Sequence, residues 1–207
     1  MSIITSITEQ KKKSRVNIYL DGRFFCGLEK LTCVSNNLQV GTEISKEQLE
    51  EIQQQSEQSV AFSKSLDFLS SRMRSEAEIK KYLAGKGYLP LTIENTISKL
   101  KEYSYINDEE FANQLIRSYP SLGQAALKQK LIQKGVPQNT IKSFLESIDA
   151  ESEEEKAEII AKKYLKNRIN SKNIKQKLNN HLISKGFSFE IASKLTKKFT
   201  AEEDNEY

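Results

Sequence analysis

The sequence predicts a mainly α-helical chain. It should hold three tandem three-helix repeats forming an elongated curved body, preceded by a small N-terminal β-hairpin module. Three observations carry this expectation. The 207 residues include only 8 Gly and 3 Pro, and the abundant Lys, Glu, Gln, Leu and Ile favour helices, where straight side chains lose little rotamer freedom. One early segment alternates with a period of two around an Asp-Gly pair. The remainder aligns with itself in three copies.

In the N-terminal module, Val16, Ile18 and Leu20 alternate with other residues, and Asp21-Gly22 leads into Phe24, Phe25, Cys26 and Leu28. Asp-Gly tolerates the positive φ of a type I′ turn, which makes this a hairpin signal. Ile3, Ile4 and Ile7 supply a third strand. An isolated hairpin is only marginally stable in water, so this one should pack against that strand or a following helix. Ser45-Lys46-Glu47-Gln48 has the form of a capping box. It opens a helix carrying Leu49 and Ile52, and the Gln-rich stretch 53–58 either continues that helix or forms a flexible joint.

The repeat is read from self-comparison. KKYLAGKGYLPLTIENTISKL, from Lys80, aligns without gaps with KQKLIQKGVPQNTIKSFLESI, from Lys128. A third copy places Leu182 on Leu131 and Lys185-Gly186-Phe187 on Lys134-Gly135-Val136. Ile79/Leu83, Leu127/Leu131 and Leu178/Leu182 are i, i+4 pairs on one helix face. Gly87, Gly135 and Gly186 should end those helices in the left-handed conformation, with Tyr88, Val136 and Phe187 folding back on the apolar face. Further helices should begin near Thr92 and Thr140, burying Ile93, Ile97 and Leu100, or Ile141, Leu145 and Ile148. Phe62, Leu66 and Leu69 mark the first helix of repeat one; Phe111, Leu115 and Ile116 mark that of repeat two, and Ile160, Tyr164 and Leu165 that of repeat three. Ser75-x-x-Glu78, Asn107-x-x-Glu110 and Ser121-x-x-Gln124 read as helix starts. The expected domains are 1–56 (hairpin module and linking helix), 57–108, 109–150 and 151–199 (the three repeats), and an acidic tail, 200–207.

The formal charge of +4 is unevenly distributed. Residues 149–161 carry −5 and residues 200–207 carry −4, whereas residues 162–199 carry +10. Asp149 to Glu155 reads as a solvated acidic linker. The basic block should attract polyanions by counterion release. Its residues are mostly Lys, which act as point charges on phosphates and do not read bases.

Catalytic equipment is sparse. His181 is the only histidine; no acid or thiol stands beside it in sequence, and a solvated helix surface is its expected place. Cys26 and Cys33 lack zinc-site spacing and read as small core hydrophobes. No phosphate-cradling glycine motif occurs. The expectation is a non-enzyme without cofactor or metal. No run of ~20 apolar residues exists to span a bilayer, the N-terminus lacks a secretory h-region, and two cysteines suit a reducing cytoplasm.

Four segments resemble the RecX family, regulators of the RecA recombinase. They are Arg74-Ser75-Glu76-Ala77-Glu78-Ile79; Tyr105-Ile106-Asn107-Asp108 with Phe111-Ala112; Gly123 with Leu127, Leu131 and Lys134-Gly135-Val136; and Lys185-Gly186-Phe187. The resemblance covers about residues 60–199, and the N-terminal hairpin is similar to the extension of longer members. It implies a non-enzymatic protein that binds the groove of the RecA–DNA filament and inhibits ATP hydrolysis and strand exchange; a monomer is expected. The expected partners are that filament and the phosphates of single- and double-stranded DNA, with no membrane involved. The alternative is an independent, sequence-nonspecific DNA- or RNA-binding helical module.

Candidate contact residues are Arg72, Arg74, Lys80, Lys81 and Lys86 in repeat one, and Lys128, Lys130 and Lys134 in repeat two. In repeat three they are Lys162, Lys163, Lys166, Arg168, Lys172, Lys175, Lys177 and Lys185. Lys86, Lys134 and Lys185 equally suit the negative end of a helix macrodipole. The Ser121–Ala126 segment is less basic than in many relatives, which shifts weight to the first and third repeats.

Overall fold

Local signals of the sequence map closely onto elements of the chain. The computed structural model describes residues 1–166, 168 and 173–201. Among these, four strands and ten helices form. The chain divides into two compact units: Met1–Arg72 with Ile79–Tyr105, and Met73–Glu78 with the chain from Ile106 onward.

The first unit begins with an antiparallel sheet. Its strands are β1 (Ser2–Glu9), β2 (Arg15–Leu20), β3 (Arg23–Glu29) and β4 (Glu43–Ile44), in the order β3-β2-β1-β4. Asp21 and Gly22 form the expected turn, with φ of 47° and 80°. β1 is the expected third strand, while the two-residue β4 was not foreseen. Val16 lies opposite Leu28 and Ile18 opposite Cys26. This buried face is closed by α1 (Lys30–Ser35), also unforeseen, and by the start of α2 (Lys46–Leu69). Cys26 and Cys33 both lie in this core. Burial pushes the Cys26 thiol up to about 11 and raises that of Cys33. Such thiols are inert.

Helix α2 opens on the expected capping box. Ser45 Oγ accepts from the Gln48 N–H at 3.1 Å, and Gln48 Oε1 accepts from the Ser45 N–H at 3.0 Å. The helix then runs unbroken for 24 residues through 53–58, which removes the flexible-joint alternative. With α3 (Glu76–Gly85) and α4 (Pro90–Glu102) it makes the first three-helix repeat. α2 packs against α4, and its buried residues there are Ala61 and Ser65; Phe62, Leu66 and Leu69 are only half-buried. Small side chains let two backbones approach closely, so the bulky apolar residues are a poor guide to the inner face here.

The second unit holds α5 (Asp108–Arg117), α6 (Gln124–Gln133) and α7 (Gln138–Glu146), then α8 (Ala150–Leu165), α9 (Ile174–Ser184) and α10 (Phe189–Ala201). Phe111, Ala112, Leu115, Leu131, Val136 and Ile141 form one core. Ala157, Ala161, Leu165, Leu178, Leu182, Phe187 and Leu195 belong to the other. Three expectations need correction. The acidic run is no linker: Asp149 caps α8, accepting from the Ser152 N–H at 3.3 Å, and Glu151–Glu155 are helical. Acids there complement the positive end of the helix macrodipole. α6 is capped by Gly123, not Ser121. Ile148 lies beyond the end of α7.

The repeated Lys-Gly turn is the strongest local signal, and all three copies fold alike. Gly87, Gly135 and Gly186 have φ of 84°, 72° and 90°. The next residue's N–H returns to Leu83 O (3.3 Å), Leu131 O (3.1 Å) and Leu182 O (3.2 Å). This is the Schellman pattern, which satisfies orphan carbonyls at a helix end.

Candidate functional site

Within the second unit, one junction occurs twice and positions much of the basic surface. At the first, the start of α3 meets the end of α6. Ser75 Oγ donates to Lys134 O at 2.5 Å, and Lys134 Nζ reaches Glu78 Oε1 at 2.9 Å. Ser75 and Glu78 also form the expected capping box. Asp108 of α5 accepts from the Glu76 N–H at 2.9 Å. At the second junction, the start of α6 meets the end of α9. The Gly123 and Ala125 N–H groups donate to Lys185 O (2.9 Å) and Gly186 O (3.1 Å). Glu153 of α8 accepts from the Gln124 N–H at 2.8 Å. In both, an acid from another helix accepts an N–H at a helix N-terminus, and a Lys-Gly carbonyl accepts from the Ser75 hydroxyl at the first junction and from backbone N–H groups at the second, which pairs opposite ends of two helix dipoles.

The candidate contact residues differ in their surroundings. Several are occupied inside the protein. Lys134 holds Glu78; Lys130 lies 4.1 Å from the Tyr119 ring centre; Lys162 pairs with Glu158 at 2.8 Å; Arg168 stacks over Tyr164 at 4.7 Å. Lys86 lies over Tyr82 at 5.5 Å. Arg72, Lys80, Lys81, Lys128, Lys163, Lys166, Lys175 and Lys177 are exposed, whereas Arg74 and Lys185 are half-buried. Lys172 lies outside the described residues, as do residues 202–207 of the acidic tail.

Tertiary structure tempers the basic block. Glu154 of α8 pairs with Lys194 of α10 at 2.7 Å, and Glu158 pairs with Lys198 at 2.9 Å. Hydrogen bonds from Lys162 and then Lys198 hold the Glu158 carboxyl down to about 2. The acidic and basic runs, separate in sequence, thus share one helical repeat. Their combined net charge over residues 149–199 is +5.

His181 is not a solvated surface residue. It is half-buried and stacks on Tyr164, with ring centres 4.2 Å apart at 22°. Burial, followed by the Lys185 and Arg168 charges, lowers its pKa. Among the described residues, no group of three or more His, Cys, Asp or Glu is placed to hold a metal, and no helix is long and apolar enough to cross a membrane.

Sequence reasoning missed one cluster in the first unit. Phe62, Tyr103 and Tyr105 meet edge to face, at 6.1, 6.1 and 6.3 Å, and Lys99 lies over the rings of Phe62 and Tyr103. The signal was present as two tyrosines flanking a single serine at the end of α4.

Three family models match the chain. They describe the regulatory protein RecX N-terminal domain (residues 2–45), the first three-helix domain of RecX (61–100) and the second (107–145). Regulatory protein RecX of Bacillus subtilis (strain 168) is 34% identical over 100% of this chain and 80% of its own length. Regulatory protein RecX of Clostridioides difficile (strain 630) is 34% identical over 96% of each chain. A crystal structure of regulatory protein RecX superposes with a TM-score of 0.68 at 29% identity, covering 95% of this chain and 100% of that one.

Proposed function

Since the chain belongs to the RecX family of regulatory proteins, we propose that it is a non-enzymatic regulator of the RecA recombinase, binding the RecA–DNA filament groove and inhibiting ATP hydrolysis and strand exchange. The observation that carries this reading is 34% identity to regulatory proteins RecX along essentially the whole chain. The repeat surfaces support it physically. Lys81 on α3, Lys128 on α6, and Lys163 and Lys166 at the end of α8 are all exposed. Lysines so placed can neutralise phosphates without reading bases. A filament in the cytoplasm presents such phosphates beside recombinase protomers, so the reading also places this chain there.

The test is recombinase ATP hydrolysis on single-stranded DNA, titrated with the full chain. The expected result is saturable inhibition at protein-to-recombinase ratios well below those that coat the DNA. Strong DNA binding with no inhibition would overturn this reading in favour of an independent nucleic-acid-binding module.

A further inference from the structure

We propose that Phe62, Tyr103 and Tyr105, with Lys99 beside Phe62 and Tyr103, form a stacking platform for the bases of single-stranded DNA. The choice of DNA rests on the regulator reading; the platform itself rests on geometry within the first unit. Phe62–Tyr103, Phe62–Tyr105 and Tyr103–Tyr105 are all edge-to-face, at 73°, 69° and 80°. Each edge-to-face contact covers a face of only one of its two rings, and Lys99 lies over one face of Phe62 and of Tyr103. Tyr103 is 53% exposed and Tyr105 52%. Base–aromatic stacking needs such faces and tolerates any base, because every base has a π-face.

Charge completes the site. Lys99 Nζ is 5.1 Å from the Phe62 ring centre and 5.9 Å from that of Tyr103. An ammonium held there can meet the phosphate between two stacked bases. Glu102 is the acid at the same helix end, and Lys99 and Lys101 oppose it.

The chain turns between the tyrosines in a Schellman cap of α4: the Tyr105 N–H donates to Leu100 O at 2.8 Å and the Ser104 N–H to Lys101 O at 2.9 Å. Ser104 sits between the tyrosines with φ of 56°. Among the described residues, all other positive-φ positions are Gly, Asn or Asp, which tolerate that conformation better. The equivalent end of α7 is capped by Ser147 and followed by Ile148 and Asp149, with neither aromatic residues nor a left-handed turn. The tyrosine pair is therefore absent from the second repeat.

The experiment uses the full chain and labelled oligo(dT), with duplex DNA and oligo(U) as parallel probes, read by anisotropy at one salt concentration. Y103A/Y105A should weaken oligo(dT) binding by at least about tenfold and leave duplex binding unchanged. Y103F/Y105F should bind like the parent chain, because stacking needs the ring and not the hydroxyl. With 8 Tyr and no Trp, tyrosine emission gives a second readout: oligo(dT) should quench it, and less so in Y103A/Y105A. Thermal melting checks that the variants fold; Lys99→Gln, which keeps all three rings, should weaken oligo(dT) binding if Y103A/Y105A proves unstable. Unchanged oligo(dT) affinity in a folded Y103A/Y105A, or an equal loss on duplex DNA, would overturn the proposal. Tighter binding of oligo(U) would overturn its assignment to DNA. Loss of recombinase binding with oligo(dT) affinity intact would make the face a protein contact instead. No recombinase is present in the oligonucleotide titrations, so they fail or succeed independently of the ATPase inhibition.

Discussion

Glu153 Oε1 of α8 accepts the backbone N–H of Gln124, the first residue of α6, at 2.8 Å. The two residues lie 29 apart in sequence, and Glu153 is only 7% exposed. Gly123 at the N-cap supplies no side-chain cap to this helix start. An acid from the next repeat does so, as Asp108 does for Glu76 at the start of α3.

Glu153→Ala should therefore destabilise the chain by about 1–3 kcal/mol, the loss of a part-buried hydrogen bond to a carboxylate. Glu151 is exposed near the start of the same helix, and Glu151→Ala should stay within roughly 0.5 kcal/mol. Urea unfolding followed by circular dichroism measures both. Equal effects would show that the helix cap is not what Glu153 contributes.

The three Lys-Gly turns should differ in their tolerance of alanine. All three glycines share the left-handed conformation, which costs an L-residue roughly 1–2 kcal/mol. A Cβ on Gly87 meets open space. One on Gly135 would lie 2.3 Å from Ala77 Cβ, and one on Gly186 2.4 Å from the Ala126 nitrogen. Gly87→Ala should cost only the conformational amount, whereas Gly135→Ala and Gly186→Ala should cost about 1–3 kcal/mol more through overpacking. Melting temperatures of the three variants give the order directly.

Two lysines of repeat two should separate stability from binding. Lys134 is engaged with Glu78 at 2.9 Å, so Lys134→Ala should lower stability by about 1 kcal/mol or less, given its partial exposure. Lys128 is exposed, and Lys128→Glu should leave stability within roughly 0.5 kcal/mol while weakening filament or DNA binding. Binding titrations beside unfolding curves distinguish the two roles.

Charge reversal at Lys172, Lys175 and Lys177 should weaken DNA binding. It should also flatten the dependence of log K on log salt by about 0.9 for each duplex phosphate that is no longer neutralised. An unchanged slope would remove this segment from the interface.

The pH dependence of stability should carry a His181 component. Its folded pKa lies below the ordinary value, chiefly because the ring is partly buried against Tyr164. Around and below pH ~6.5 the unfolded chain therefore binds more protons than the folded one. Unfolding free energy then rises with pH through that window, and this component is lost as pH falls. His181→Phe, which keeps the stack, should show a shallower loss between about pH 7 and pH 5 in urea midpoints. Parallel curves for the two proteins would remove His181 as the source.

Most of the fold was legible because its signals are local. The Asp21-Gly22 turn, the boxes at Ser45 and Ser75, and the glycines at 87, 135 and 186 act through residues one to five positions away. The small β4 and α1 lacked such a signal. The site was less legible. Exposure of Lys128 or Lys163 follows from the helix pattern, but occupation of Lys134 by Glu78, 56 residues away, does not.

The sequence by itself determined the hairpin, the three-copy helix–turn–helix register and where each middle helix stops. Backbone conformation at a cap or a left-handed glycine is set by neighbours along the chain. Tertiary structure alone decided that Glu154 and Lys194, 40 residues apart, neutralise one another. It alone made an apparent acidic linker the start of α8 with Glu153 as a cap, and it alone gathered Phe62 with Tyr103 and Tyr105. Those outcomes depend on which helix faces meet in space, and charge or aromatic content along a chain carries no record of that until packing joins them.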